Sequence, residues 1–142
     1  MTQKTISLSA KIALYEPDIP QNTAAIIRTC SCLGAIVEII EPCGFIFNDK
    51  RFKRVVMDYL DEQMIKFYKN YEEFFEIKKK NKERVILMTT KATNSYTSFN
   101  FKNNDTFLFG KAGGLFHKHP SLSHMNCRCN LPNLYQYHSD IL

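Results

Sequence analysis

The 142-residue sequence contains no tryptophan and no apolar run of the roughly 18 residues that a membrane-spanning helix requires. The absence of such a run argues against a helical membrane protein. Its first residues, "MTQKTISLSAK", also lack the apolar middle section of a secretory signal. We therefore expect a cytoplasmic protein that is not anchored in a membrane.

The sequence contains an odd number of cysteines. The five are Cys30, Cys32, Cys43, Cys127 and Cys129, and three of them lie in apolar or strand-like segments. An odd number in such positions is typical of reduced thiols rather than of a disulfide framework. We expect Cys30 and Cys32 to be buried and to act as small apolar side chains.

The composition is that of an ordinary globular protein, with 44% hydrophobic and 23% charged residues. The length fits one domain, residues 1–142, that is large enough to bury a hydrophobic core. The net charge of +5 favours polyanionic partners but identifies none.

Apolar strand patterns alternate with helical patterns along the chain. We predict strands at "KIALYEP", "AIVEIIEP", "MIKFY", "RVILMTT" and "DTFLFG". We predict helices at "TAAIIRTCSCLG", within residues 48–60, and from about 70 to 80. Asn22 or Thr23 is expected to cap the first helix, and Gly34 to end it. This alternation predicts an α/β fold with a mainly parallel sheet and helices on both faces.

Ligands of such folds bind at the carboxyl ends of the strands. The loops after Tyr15, Ile40 and Phe109 lie at those ends in the predicted order.

Two runs of charge stand out. The block that contains Lys50, Arg51, Lys53 and Arg54 is dense enough to contact several phosphates of one nucleic-acid backbone, although a solvated helix face would have the same composition. On a helix, Lys50 and Arg54 share a face. The run "KKKNKER" is expected to be the solvated end of a helix.

Four segments in order resemble one known family. The segments "LYEPDIPQNTAAIIRTC", "IIEPCGFIFNDKRFKRVVMDYL", "MTTKA" and "FLFGKAGG" are similar to bacterial tRNA wobble-nucleotide 2′-O-methyltransferases of the SPOUT class. The resemblance covers roughly residues 11 to 115. It implies a SPOUT-like α/β-knot fold, S-adenosylmethionine as cofactor, tRNA as substrate and a homodimer.

The resemblance also implies roles for particular residues. In the family's first motif a helix arginine engages the target ribose and helps to remove the 2′-hydroxyl proton; here Arg28 matches it, with Asn22 as a positioning residue. Because a guanidinium keeps its proton at neutral pH, that role requires strong local perturbation or a phosphate relay. Without the resemblance, the residues alone favour an exposed helix residue or an ion-pair partner as the interpretation of Arg28.

Further site residues follow from the same resemblance. The RNA-binding residues it implies are Lys50, Arg51 and Arg54. The cofactor-binding residues it implies are Thr89, Gly110, Gly113, Gly114 and Leu131. The reaction requires no metal.

The chain departs from the family pattern at three places. Ala24 replaces a glycine, and "FLFGKAGGL" lacks the glutamate of the family's Gly-x-Glu-x-x-Gly motif. The final Arg-Ser-Leu-Asn-like loop and its long helix are absent, and residues 116–142 form an atypical tail in their place. We therefore expect the knot-forming segment to be missing or incomplete, with an incomplete cofactor pocket and a weakened dimer. A catalytically inactive RNA-binding remnant and a nonfunctional truncated fragment remain alternatives.

The tail contains all four histidines and two cysteines. These side chains could bind zinc, but the H-x-H and C-x-C spacings fit no common zinc finger. We therefore predict no metal site there. The segment "NCRCNLP" is a candidate for one further strand.

Overall fold

The computed structural model describes residues 10–47, 50–56, 64–89, 94–110 and 128–130. Within these ranges the strands are β1 (Lys11–Tyr15), β2 (Ile36–Ile40), β3 (Ile65–Tyr68), β4 (Val85–Met88), β5 (Asn94–Ser95), β6 (Thr106–Gly110) and β7 (Arg128–Asn130). The helices are α1 (Pro20–Leu33), α2 (Lys50–Val56) and α3 (Tyr71–Lys80). The tail residues 116–127 and 131–142 lie outside the described residues, so the prediction of an atypical, knot-deficient tail stays a prediction.

The strands form one seven-stranded sheet in the order β3-β2-β1-β6-β4-β7-β5. Every pairing between the described strands is parallel. The predicted α/β class with a mainly parallel sheet is therefore confirmed. The strand β7 lies within the segment "NCRCNLP", as expected, whereas β5 contains two polar residues and gave no apolar signal.

Successive residues of β1 supply two different cores, because side chains alternate across a strand. Ala13 and Tyr15 belong to an apolar cluster that includes Phe74 of α3. Leu14 belongs to a second cluster, together with residues of α1 and α2 such as Ile27 and Phe52. The helices α1 and α2 therefore cover one face of the sheet and α3 covers the other, as predicted.

The first helix begins earlier than the sequence pattern indicated. Neither Asn22 nor Thr23 is its cap; the helix starts at Pro20, and Ile19 occupies the N-cap position without a side-chain hydrogen bond. Proline favours the first position of a helix, because its fixed φ suits the turn and its missing N–H would be unpaired there. The Thr23 hydroxyl instead donates to the Ile19 carbonyl.

The C-terminus of α1 and the N-terminus of α3 lie where the sequence predicts them. Gly34 ends α1 in the left-handed conformation, with φ of 69°. Asn70 caps α3, since its side-chain oxygen accepts a hydrogen bond of 2.8 Å from the backbone N–H of Glu73. Among the described residues no helix has both the length and the apolarity to cross a membrane; α1, the longest of them, has 14 residues.

The prediction that "KKKNKER" is a solvated end is wrong for three of its residues. Lys78 is buried and binds Glu38 and Glu83, and Arg84 binds Asp105. Helix α3 presents one side to the sheet, so Lys78 falls on the same face as Phe74, four residues earlier. Only the intervening residues Lys79 to Lys82 are exposed.

The prediction for the cysteines of α1 holds for one of the two. Cys30 is buried, and burial raises the pKa of its thiol to about 11. Cys32 is exposed, because a residue two positions further along a helix lies on the opposite side.

Candidate active site

The carboxyl ends of four adjacent strands lie at one level of the sheet. Tyr15, the last residue of β1, is opposite both Ile40 of β2 and Gly110 of β6. Ile40 is in turn opposite Tyr68 of β3. The loops after β1, β2, β3 and β6 therefore start side by side.

The order in which the chain adds strands to the sheet reverses between β1 and β6. From β1 the chain proceeds to β2 and β3 on one side, whereas β4, β7 and β5 lie beyond β6 on the other side. In parallel α/β sheets ligands bind in the crevice outside the carboxyl ends at such a switch point. Here the crevice is bounded by Tyr15 and Gly110.

The loop after β1 has a fixed backbone. Glu16 has φ of 44°, in the left-handed region that costs a non-glycine residue energy, and this conformation ends the strand two residues before the predicted end at Pro17. Its N–H donates to the Ile40 carbonyl over 2.9 Å. The Tyr15 hydroxyl hydrogen-bonds to the Glu16 carboxylate. Burial is the main cause of the raised pKa of Tyr15, and the neighbouring Glu16 carboxylate raises it further.

The loop after β2 is joined directly to the loop after β1. The N–H of Gly44 donates to the Pro17 carbonyl over 2.8 Å. A Cβ atom on Gly44 would lie 2.9 Å from the Cα of Asp18, closer than Cβ atoms approach backbone. Glycine is therefore required where the two loops meet. The roles of Glu16 and Gly44 are not predictable from the sequence, because neither a strained φ nor a close backbone approach leaves a pattern in one sequence.

Arg28 lies farther from the start of α1 than the predicted helix implied. Since α1 begins at Pro20, Arg28 opens the third turn, about 12 Å along the axis at 1.5 Å per residue. Its side chain is exposed and makes no ion pair or hydrogen bond with the part of the chain that the structure describes.

Asn22 and Arg28 do not lie side by side on α1. Asn22 is in the first turn and half-buried. The six-residue separation places Arg28 about 9 Å along the axis and about 120° around it. Any joint action of the two therefore requires a ligand that contacts both.

Two of the predicted cofactor residues lie at the ends of neighbouring strands: Gly110 is the last residue of β6, and Thr89 directly follows β4. Strand β4 pairs with β6 at a constant offset, from Val85 opposite Thr106 to Leu87 opposite Leu108. Continued two residues further, the same register places Thr89 level with Gly110. The other three, Gly113, Gly114 and Leu131, lie outside the described residues.

The predicted RNA-binding residues lie on α2. Lys50 and Arg54 are exposed, one helical turn apart, and neither has an ion-pair partner among the residues described. They lie opposite the buried Phe52 and Val56. The side chain of Arg51 is outside the described part of the chain.

The profile of the SpoU rRNA Methylase family matches residues 9–133. The chain belongs to the SpoU rRNA Methylase family. A tRNA (cytidine(34)-2'-O)-methyltransferase of Beijerinckia indica is 41% identical to it over 100 residues, which cover 70% of this chain and 62% of the relative. The chain thus spans less than two thirds of the length of the curated SpoU relatives that it matches first.

Solved SpoU-type structures share the fold. One, described as giving structural insights into the 2-OH methylation of C/U34 on tRNA, has a TM-score of 0.77 and 26% identity, covering 89% of this chain and 81% of its own. A SpoU methyltransferase of Streptomyces viridochromogenes, in complex with the cofactor AdoMet, has a TM-score of 0.68 and 17% identity, covering 89% of this chain and 49% of its own. At that identity the second likeness establishes the fold alone.

Proposed function

We propose that this protein transfers a methyl group from S-adenosylmethionine to the ribose 2′-oxygen of the wobble nucleotide of a tRNA. The name of the Beijerinckia relative and the subject of the C/U34 methylation structure support this substrate. The observation that carries the proposal is the switch point of the sheet, where Tyr15 at the end of β1 lies opposite Gly110 at the end of β6.

The residues at this edge fit an adenosine-containing cofactor. Gly110 has no side chain, so a nucleoside can approach the backbone at the centre of the edge. Thr89, which directly follows the neighbouring strand β4, adds a hydroxyl at this edge. We propose that both hold the cofactor together with Gly113, Gly114 and Leu131. When bound, S-adenosylmethionine supplies an electrophilic methyl group, and the protein's contribution is mainly to orient the ribose hydroxyl towards it.

Arg28 is the proposed catalytic residue. An exposed guanidinium that has no acidic partner among the described residues is available to bind a phosphate or the developing 2′-alkoxide of a ribose. Asn22, near the start of the same helix, is proposed to position the nucleotide rather than Arg28 itself, because the two side chains point in different directions.

The proposed contacts with the tRNA backbone follow from the positive charge of α2. Lys50, Arg51 and Arg54 are proposed to bind tRNA phosphates. A homodimer and a cytoplasmic location belong to the same proposal.

The test is methyl transfer by the full chain to unmodified tRNA, with the product nucleotide identified by mass spectrometry. Arg28→Ala is expected to lower the rate by about 100-fold or more without changing the melting temperature or cofactor affinity. Thr29→Ala, an exposed neighbour on α1, is the matched control and should retain the wild-type rate. An Arg28→Ala rate within a few-fold of wild type would remove the catalytic role.

Calorimetric titration separates this proposal from an inactive RNA-binding remnant. Binding of S-adenosylmethionine supports the enzyme. Measurable affinity for tRNA without any binding of the cofactor would instead favour the remnant.

A further inference from the structure

An aromatic surface lies beside the basic helix α2. We call Ile46, Phe47 and Phe67 the edge apolar patch. Ile46 is 77% exposed and Phe67 is 47% exposed. The rings of Phe47 and Phe67 meet edge to face, with their centroids 4.8 Å apart. Exposed apolar side chains grouped in this way commonly mark a binding surface.

The patch rests on a rigid base. Phe47 packs against the buried Phe52 of α2 at 4.4 Å between centroids, and Phe45 packs against both, at 6.1 Å from Phe47 and 5.2 Å from Phe52. Phe67 is on β3, which pairs only with β2 among the described strands and so forms an edge of the sheet. Phe67 is therefore held in place from one side and open on the other.

The surroundings of the patch are cationic. Residues 50–56 and 65–69 carry six Lys and Arg residues, four on α2 and two beside Phe67, and no acidic residue. Lys69, two residues after Phe67, is exposed and has no ion-pair partner within the described ranges. Lys66, the residue before Phe67, is also exposed, but it lies on the opposite face of the strand.

This combination of residues distinguishes between possible partners. Lysine is depleted in protein–protein interfaces, so a patch surrounded by unpaired lysines is a poor match for a protein partner. An aromatic ring surrounded by cations is the arrangement that binds unpaired nucleotides, with a base stacked on the ring and phosphates on the cations. Lysines on an edge strand can also serve only to prevent aggregation, which makes a direct test necessary.

We propose that Phe67 stacks with an unpaired base of the RNA substrate while Lys69 and the exposed cations of α2, Lys50 and Arg54, hold the flanking phosphates. This inference rests on the proposed function for the identity of the RNA, and it adds a base-binding surface at the β3 edge, away from the β1/β6 crevice.

The chain has no tryptophan, so Phe67→Trp would introduce a single fluorescent reporter at the patch. Titration with a tRNA anticodon stem-loop is expected to quench its emission saturably. Phe101→Trp is the matched control: Phe101 is 39% exposed and packs on Phe99 and Phe107 near the start of β6, at the opposite end of the strands. Its emission should not change.

Affinity measurements test whether stacking of a base on the Phe67 ring contributes to RNA binding. Phe67→Leu keeps an apolar side chain but removes the ring, and should weaken binding of the stem-loop about 5- to 100-fold. Phe67→Tyr should restore it. The salt dependence of binding should be unchanged in Phe67→Leu and shallower in Lys69→Gln, because only the second loses a phosphate contact.

Each of the other outcomes is decisive. Equal affinities of Phe67→Leu and wild type, or a Phe67→Trp signal that RNA leaves unchanged, would overturn the inference. Emission that instead varies with protein concentration without RNA would assign the patch to a second copy of the chain. Methyl transfer by wild type without quenching in Phe67→Trp would reject this inference alone, whereas quenching without methyl transfer would reject the proposed reaction alone.

Discussion

Replacing Lys78 with methionine is expected to destabilise the fold strongly, because Lys78 is part of a buried cluster of charges. The Lys78 and Glu38 side chains are 2% and 1% exposed, and the Lys78 Nζ lies 2.8 Å from the Glu38 carboxylate. The same Nζ is 2.7 Å from Glu83 Oε2. The Tyr68 hydroxyl donates to Glu38 Oε1 over 2.9 Å. The cluster joins β2, β3 and α3.

Methionine has nearly the same length as lysine but no charge, so the substitution leaves the Glu38 carboxyl buried and without its cation. Removing one partner of a buried ion pair typically costs about 3 to 5 kcal/mol. For a chain of this size that cost lowers the melting temperature by roughly 10 °C or more. Replacing Glu38 and Lys78 together by methionine should restore part of the loss, because no unpaired charge then remains between them.

The assay is urea unfolding followed by circular dichroism, for wild type, Lys78→Met, Glu38→Met and the double variant. The two single losses should exceed the double loss when summed, which measures the coupling between the side chains. Lys79→Met is the matched control: Lys79 is the next residue on α3 and is exposed, so we expect a change within about 0.5 kcal/mol. Equal stabilities of Lys78→Met and Lys79→Met, or additive losses, would refute the account of the cluster.

Two further predictions concern acid stability and the loops at the sheet edge. Burial would raise the pKa of Glu83, but hydrogen bonds from Lys11 and Lys78 outweigh it and lower that pKa from 4.5 to about 2. Glu83 therefore adds stability above about pH 4.5 that is lost as the pH falls towards 2, and Glu83→Gln should flatten this part of the pH–stability curve; an unchanged curve would contradict the pairing. Gly44→Ala should cost about 1 to 3 kcal/mol in urea unfolding and lower the affinity for S-adenosylmethionine, because the new methyl group forces Asp18 and its loop away; unchanged stability would show that the loops are not in close contact.

The alternation of apolar segments and helical patterns was sufficient to predict the sheet, both helical layers and most element positions. The left-handed end of α1 at Gly34 and the start of α3 at Asn70 followed from local chemistry, because glycine and asparagine act on their own neighbouring backbone. The meeting of the loops after β1, β2 and β6 at one edge of the sheet also followed, since it depends only on strand direction.

Features that depend on contacts between distant segments could not be predicted in this way. The sequence gives no sign that Lys78 and Glu38, forty residues apart, neutralise each other in the core, so a run of charges was expected to be solvated. The pairing of Tyr15 with Gly110 depends on strand register. The edge-to-face contact of Phe47 with Phe67 depends on how the loop after β2 packs against the sheet edge. Local sequence fixes which elements form, because backbone preferences and periodicity act within a few residues; only the packed sheet decides which side chains lose their water and which partners they meet.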